Sequence, residues 1–258
     1  MTNCIHPSAI VSPKAKLGDN VTVGPFTVIH DNVQIGAGAR IDGYCELGYP
    51  TALAEGMSLV IGTNATIRSH SVFYEGSSFG DGLVTGHHVT VREKTIAGKG
   101  FQIGTMADIQ GHCEIGHYVK TQSSVTIGQK SKIGNFVWLF PGTLLTNDPN
   151  PPSNDLQGVE LEDYVVVGVK STLLPGVRIG KGSFVAAHSL VGQDMPEDSL
   201  ISGVPAKRIL KASDMRLKGD VRVKAYPWTK RFARGYPNYV IEQWANGIDI
   251  VEFNSCET

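Results

Sequence analysis

The sequence predicts an all-β parallel solenoid: short strands wound into coils of three, ending in a brief extension of mixed, partly helical character. Three observations carry this. An aliphatic residue recurs at every sixth position, as in Val91, Ile103, Ile109, Ile115, Ile127, Ile133, Leu139 and Leu145, with Ala97 and Thr121 as weaker members. Several of these markers are followed at once by glycine, at 104, 116, 128 and 134. A small or β-branched residue often stands two positions earlier, as do Ala107, Val125 and Ser131. A period of six is neither the 3.6 of a helix nor the 2 of an amphipathic strand. It fits a solenoid whose repeats bury their apolar residue by stacking on their neighbours.

The register opens at Ile5 and runs through Val11, Leu17, Val23, Ile29, Ile35, Ile41 and Leu47. It slips across GYPTALAEGMS and resumes at Ile61, so a surface insertion is expected at about 48–58. A second interruption, TNDPNPPSNDLQGVE, is rich in Pro, Asn and Asp, which marks a loop over 147–160. The markers return at Leu161 and end at Val191, giving about 29 hexads. Within a hexad the marker and the residue two before it point to one side of a strand. The rest turns the chain, with Gly or Asn supplying conformations that branched residues resist. Three units close a triangular coil of about 18 residues, so about ten coils are expected, stacked at roughly 4.8 Å. Each fully buried Ile or Leu contributes roughly 1.5–3 kcal/mol. The expected division is a solenoid over 1–208 and a C-terminal cap over 209–258.

In that C-terminal part the period is lost. Pro237 followed by NYVIEQWA and then Gly247 reads as one short helix with a proline start and a glycine stop. Ten Lys/Arg residues lie between Pro205 and Val240, against Asp214 and Asp220. This segment is expected to cover the open end of the prism, protecting it from edge pairing, and to offer cations to phosphate.

A formal charge of −1 over 258 residues gives no argument for nucleic acid or an anionic membrane surface. The N-terminus lacks a signal-peptide core and no run reaches transmembrane length, so a cytoplasmic protein is expected. The four cysteines, at 4, 45, 113 and 256, form no C-x-x-C pair; Cys45 and Cys113 occupy the small-residue slot and are expected as core fillers.

The 18-residue coil also aligns outward corners. His112, Lys130 and Asp148 should form one column, and His70 and His88 stack on another. A corner imidazole can accept a proton from an attacking amine or hydroxyl. Gly168, Ala186 and Val204 are 18 apart and should line a third column, with Lys207 and Arg208 beside it. For any single histidine, and for Asn147 and Asp148, the plain alternative is a solvated turn residue.

The [LIV]-G-x-x-x-x repeat closing on Ser202-Gly203-Val204-Pro205-Ala206-Lys207 resembles the hexapeptide-repeat acyltransferases, which implies a left-handed parallel β-helix. FVWLFPGTLLTNDPNPPS and AYPWTKRFARGYP further resemble nucleotide-sugar N-acetyltransferases acting on dTDP-3-amino-3,6-dideoxyhexoses. That resemblance implies acetyl transfer from acetyl-CoA to the amine of a nucleotide-linked sugar, and a homotrimer with sites between subunits. It implies His112, Asn147 and Asp148 at the reacting centre. GHHVTVREKT implies His87, Arg92 and Glu93 as sugar or nucleotide contacts, with His88 where the group's pattern has Asn. Gly168, Ala186 and Val204 would bind the pantetheine, and Lys207 and Arg208 the coenzyme A phosphates. No metal is implied. Competing readings are a 4-amino or UDP-linked sugar, a zinc hydrase of the γ-carbonic anhydrase type using His112 and His117, and a non-catalytic scaffold. The zinc reading lacks its third ligand, since Gly76 stands where a histidine is needed.

Overall fold

The structure, a computed structural model, describes residues 2–245. Paired strands of two to six residues form three faces of a prism, parallel except for the last strand of the first face, and along the coils each strand feeds the next face in turn. The first face starts with Cys4–Ile5 and has 12 strands, the second starts with Ile10–Val11 and has 10, and the third starts with Lys16–Leu17 and has nine. Neighbouring strands are in register at one coil's spacing: Thr90 pairs with Asp108, and Ile127 with Leu145.

The aliphatic ladder is buried throughout the middle of the prism. All eight principal markers from Val91 to Leu145 are core residues, as are Ala97 and Thr121. Cys45 and Cys113 lie in that core, where burial pushes their thiols up to about 11 and about 12. In the first coil Val11 and Leu17 are only partly covered and Ile5 is exposed, since among the described residues a coil stacks on one side of them alone.

The glycines after the markers do a different job from the one expected. The left-handed corner of each hexad is filled mainly by non-glycine residues, among them His70, His88, Lys94, His112, Lys130, Tyr118 and Phe136. None of them is β-branched, consistent with the strain a branched Cβ meets there. The post-marker glycines instead let the coils touch. A Cβ on Gly104 would stand 2.1 Å from the Gln122 carbonyl carbon, and one on Gly116 2.7 Å from that of Gly134.

Only the first part of the C-terminal segment lies at the end of the prism, where it covers the open edge of the first face. Ser199–Gly203 turns back antiparallel to Ala206–Lys211, which becomes the last strand of the first face. The expected 208/209 boundary therefore falls inside a strand, since strand pairing outlasts the six-residue period. Beyond it the chain folds back as a strap along the outer side of the first face, ending in the helix Asn238–Ala245. Gly247 and Cys256 lie outside the described residues. Trp228, Tyr236 and Val240 are buried against Tyr118, Phe136 and Val166. Tyr118, Phe136 and Tyr164, one above another on three coils, stack at 5.4 and 5.2 Å and form an aromatic rail for the strap. Lys120 is clamped beneath it, 4 % exposed, donating to the carbonyls of Arg234 and Gly235 at 2.8 and 2.9 Å.

Candidate active site

Both long loops leave the prism along one edge, the turn from the second face to the third. The first connects Glu46–Tyr49 to Leu59–Ile61, and the second connects Leu144–Leu145 to Glu160–Leu161. His112 lies on the same edge between them, joining Asp108–Ile109 to Glu114–Ile115. Its backbone is left-handed (φ 52°), which turns the side chain outward, and its amide donates to the Glu93 carbonyl at 2.9 Å. Gly111 before it has φ +92°, and a Cβ there would meet the Glu93 oxygen at 2.7 Å, so glycine is required.

The corners above and below His112 are lysines: Lys94 on the coil before and Lys130 on the coil after, by the register of their strands. The first loop brings Glu55 to Lys94, an ion pair at 2.9 Å. Lys94, with His112 as a smaller cause, holds the Glu55 carboxyl below its ordinary range. Glu55 and Lys94 escaped the sequence reading. The signal was there, because both loops follow second-face markers, as His112 does.

Arg92 and Glu93 sit one coil before Gln110 and Gly111 on this edge. Glu93 is 0 % exposed and is paired with Arg92, its Oε1 accepting from Nη2 at 3.0 Å. The enclosed carboxylate fixes the guanidinium, which remains partly open. The open carboxylate that the expected sugar contact needs is therefore not found at Glu93.

Asn147 lies over Gly128, where a Cβ would come within 3.2 Å of it, and its carbonyl accepts from the Gln157 amide at 2.8 Å, closing the base of the second loop. Asp148 is absent from the expected column. Glu160 pairs with Lys132, so Gly158 takes the place above Lys130. The inserted residues reset the count. Asp148 instead organises its own loop, accepting from the Asn150 amide (3.0 Å) and from the Ser153 amide and hydroxyl (2.9 and 2.8 Å). The Ser153 backbone bond chiefly holds its carboxyl below the usual value.

His87 lies on another edge, from the first face to the second, against the Ser69 hydroxyl at 2.9 Å. It is not brought to His112. On that edge His70 and His88 do stack, at 4.7 Å, continuing a column with Tyr44 and Phe26. His117 is on the third edge, its Nδ1 accepting from the Lys99 amide. His112 and His117 thus diverge, and among the described residues no three His, Cys, Asp or Glu side chains converge as metal ligands.

The third column is shifted at its far end. Gly168 and Ala186 stack, but the next coil is short: Ser199 bonds to Ser183, 16 residues back, where Ser189 bonds to Ser171, 18 back. Ser202 therefore follows Ala186, and Val204 is left at the hairpin tip, 69 % exposed. The amides of Gly168 and Ala186 are taken by Val185 and Ile201 within the ladder, so they offer a ligand no donor. Lys207 and Arg208 are exposed on the last strand.

No family model matches the chain. It is 26 % identical over 210 residues to an acyl-[acyl-carrier-protein]–UDP-N-acetylglucosamine O-acyltransferase of Thermodesulfovibrio yellowstonii, covering 80 % of this chain and 73 % of that protein. It is 30 % identical over 198 residues to the bifunctional protein GlmU of the same organism, covering 75 % of this chain and 41 % of GlmU. Among solved structures, the Arabidopsis UDP-N-acetylglucosamine acyltransferase superposes with a TM-score of 0.64 at 20 % identity, over 80 % of this chain and 74 % of that one.

The chain's relatives are acyltransferases built on hexapeptide repeats, and it shares their β-solenoid fold.

It spans about two fifths of the length of the GlmU protein it matches. The shared solenoid accounts for the three faces of the prism. Among the described residues no helix is long and apolar enough to cross a membrane.

Proposed function

We propose that the chain transfers an acyl group from a thioester donor to the amine of a nucleotide-linked amino-deoxyhexose, with acetyl-CoA as donor and a dTDP-3-amino-3,6-dideoxyhexose as acceptor. The observation that carries the reading is the single edge on which both loops, His112, Arg92 and Asn147 are gathered. An uncharged amine attacks the thioester carbonyl; the C–N bond forms, the C–S bond breaks, and the products are an amide and a free thiol. The proton leaving nitrogen passes to the His112 imidazole or to the departing thiolate. Because the thiolate is itself an acceptor, His112 assists without being indispensable. Asn147 and Arg92 position the sugar and its phosphates. Asp148 acts through the loop that it holds together.

Ser202 in the shifted column, with Lys207 and Arg208, is the donor-side region in this reading, the two cations meeting the coenzyme's phosphates. A homotrimer would bring this region of one copy towards the edge of the next. The related O-acyltransferase is named for an acyl-carrier-protein donor and a UDP-linked acceptor, so those choices are tested directly. The experiment measures thiol release with acetyl-CoA, longer acyl-CoA and acyl carrier protein against 3-amino and 4-amino sugars linked to dTDP or UDP. Turnover of the dTDP-3-amino sugar with acetyl-CoA, lost in Asn147→Ala, is the expected result. Turnover only of a hydroxyl acceptor would overturn the reading.

A further inference from the structure

A second cavity lies far from His112. The strap and the outer side of the first face enclose a pocket of about 350 Å³. In a triangular prism this face is opposite the edge that carries His112, so one chain cannot present a single small ligand to both. The pocket's walls are rings: Trp138, Phe140 and Phe184 from the prism, and Tyr226, Trp228 and Phe232 from the strap. Trp138 and Trp228 meet edge to face at 6.4 Å and 80°, and Phe184 and Tyr226 approach at 5.5 Å. Val166 is the only aliphatic lining residue.

The charge here is of one sign. Arg234 lines the pocket, its guanidinium carbon 5.8 Å from the Trp138 ring, and the Lys120 ammonium stands 4.9 Å from the same ring. No Asp or Glu lines the pocket, and no carboxylate pairs with Arg234 among the described residues. An acyl chain would gain from the buried area but nothing from the guanidinium, which it would strip of water. A flat base gains stacking on these rings, worth roughly 1–3 kcal/mol per base, and a phosphate gains a fork of donors from arginine.

We propose that this pocket is a nucleotide site, separate from the His112 edge, which holds an aromatic base among Trp138, Phe184 and Trp228 and a phosphate on Arg234. The proposal stands on the chemistry of this face and does not require the acyl-transfer reading.

Trp138 and Trp228 report on it directly. Titrating the full chain with dTDP, UDP or ADP is expected to quench tryptophan fluorescence saturably, with thymidine alone binding more weakly and pyrophosphate leaving the signal unchanged. Arg234→Ala should weaken nucleotide binding about tenfold, the loss of one charge-assisted contact, and Arg234→Lys should restore part of it. Phe232→Ala, on the exposed rim, tests the ring wall without disturbing the core, and circular dichroism verifies that each variant is folded. His112→Ala and Asn147→Ala should leave this binding unchanged, which separates it from substrate binding at the edge. Unaltered affinity in both Arg234→Ala and Phe232→Ala, or loss of binding in Asn147→Ala instead, would sink the proposal. So would tight, saturable binding of decanoate with no response to any nucleotide, which would make the pocket an acyl-chain site.

Discussion

Glu55 and Lys94 meet at 2.9 Å across two coils, an ion pair that fastens the first loop to the corner directly beneath His112. The Glu55 carboxylate is largely exposed, so the pair adds little to global stability. Its effect is local, since it sets the loop wall and balances one of the two lysines flanking the imidazole. Glu55→Gln should leave the melting temperature within about 2 °C of the parent. Loop cleavage by a protease near Leu53 should accelerate, and kcat/KM should fall by about threefold to tenfold. Equal rates of cleavage in the two proteins would show that the pair does not hold the loop.

His112 is the imidazole that lies between the two loops on the edge that carries them, whereas His30, on the same edge before the first loop, is paired with Glu46 at 2.9 Å. In His112→Ala the departing thiolate still takes the proton, so kcat should drop by about 10- to 100-fold, below the full range for a required general base. KM for the sugar should change little. A loss beyond about 10⁴-fold, with the fold intact by circular dichroism, would instead mark the imidazole as essential.

The prism was legible because burial imposes one rule on every coil. Ile109, Ile127 and Leu145 share a register that periodicity alone reveals. Corner columns were legible only where the coils are uninterrupted, so Lys94, His112 and Lys130 align while Gly158 displaces Asp148. Val204 failed for the same reason at the other end, where Met195 bridges to Ile179 inside a shortened coil. The strap was illegible because contacts such as Trp228 on the Tyr164 carbonyl join residues that no local period relates. The full burial of Glu93 and its pairing with Arg92 leave no mark in the local sequence.

Asp148 offers a test by acidification. Hydrogen bonds to its carboxylate, chiefly from the Ser153 amide, lower its folded-state value. An acid with a depressed folded value contributes loop order that is complete above its ordinary value near 4. That order is lost as pH falls through the lower folded value. Amide exchange at Asn150 and Ser153 should therefore stay slow at pH 5 and accelerate only below about pH 4. In Asp148→Ala both amides should exchange fast at every pH, and KM for the sugar should rise. Slow exchange in the alanine variant would mean that Asp148 does not organise the loop.

Glycine positions separate two kinds of constraint. At Gly158 a Cβ would stand 2.1 Å from the Lys130 carbonyl carbon, a backbone atom that cannot swing away. Gly158→Ala should cost about 1–3 kcal/mol or more by forcing coils apart, and should disturb the loop edge beside Lys130. Gly182 has open space around its missing Cβ and is special only in its φ of +67°. Gly182→Asn should be nearly neutral, as asparagine tolerates that conformation. Comparable losses in chemical denaturation at both sites would refute the distinction.

Lys120 makes a prediction with an unusual sign. Burial, aided by the nearby Arg234 charge, brings its ammonium down to about 8, while the Arg234 and Gly235 carbonyls and the Tyr236 ring hold it in place. In the unfolded chain the same group titrates near 10.4. Between these values the unfolded state binds more protons, so this group makes folding more favourable as pH rises. Below about pH 8 both states are protonated and the dependence disappears. The parent should therefore gain stability relative to Lys120→Met between about pH 8 and pH 10, read from strap tryptophan fluorescence during urea unfolding. A parent–variant difference that stays constant across that range would show that the ammonium keeps its ordinary value beneath the strap.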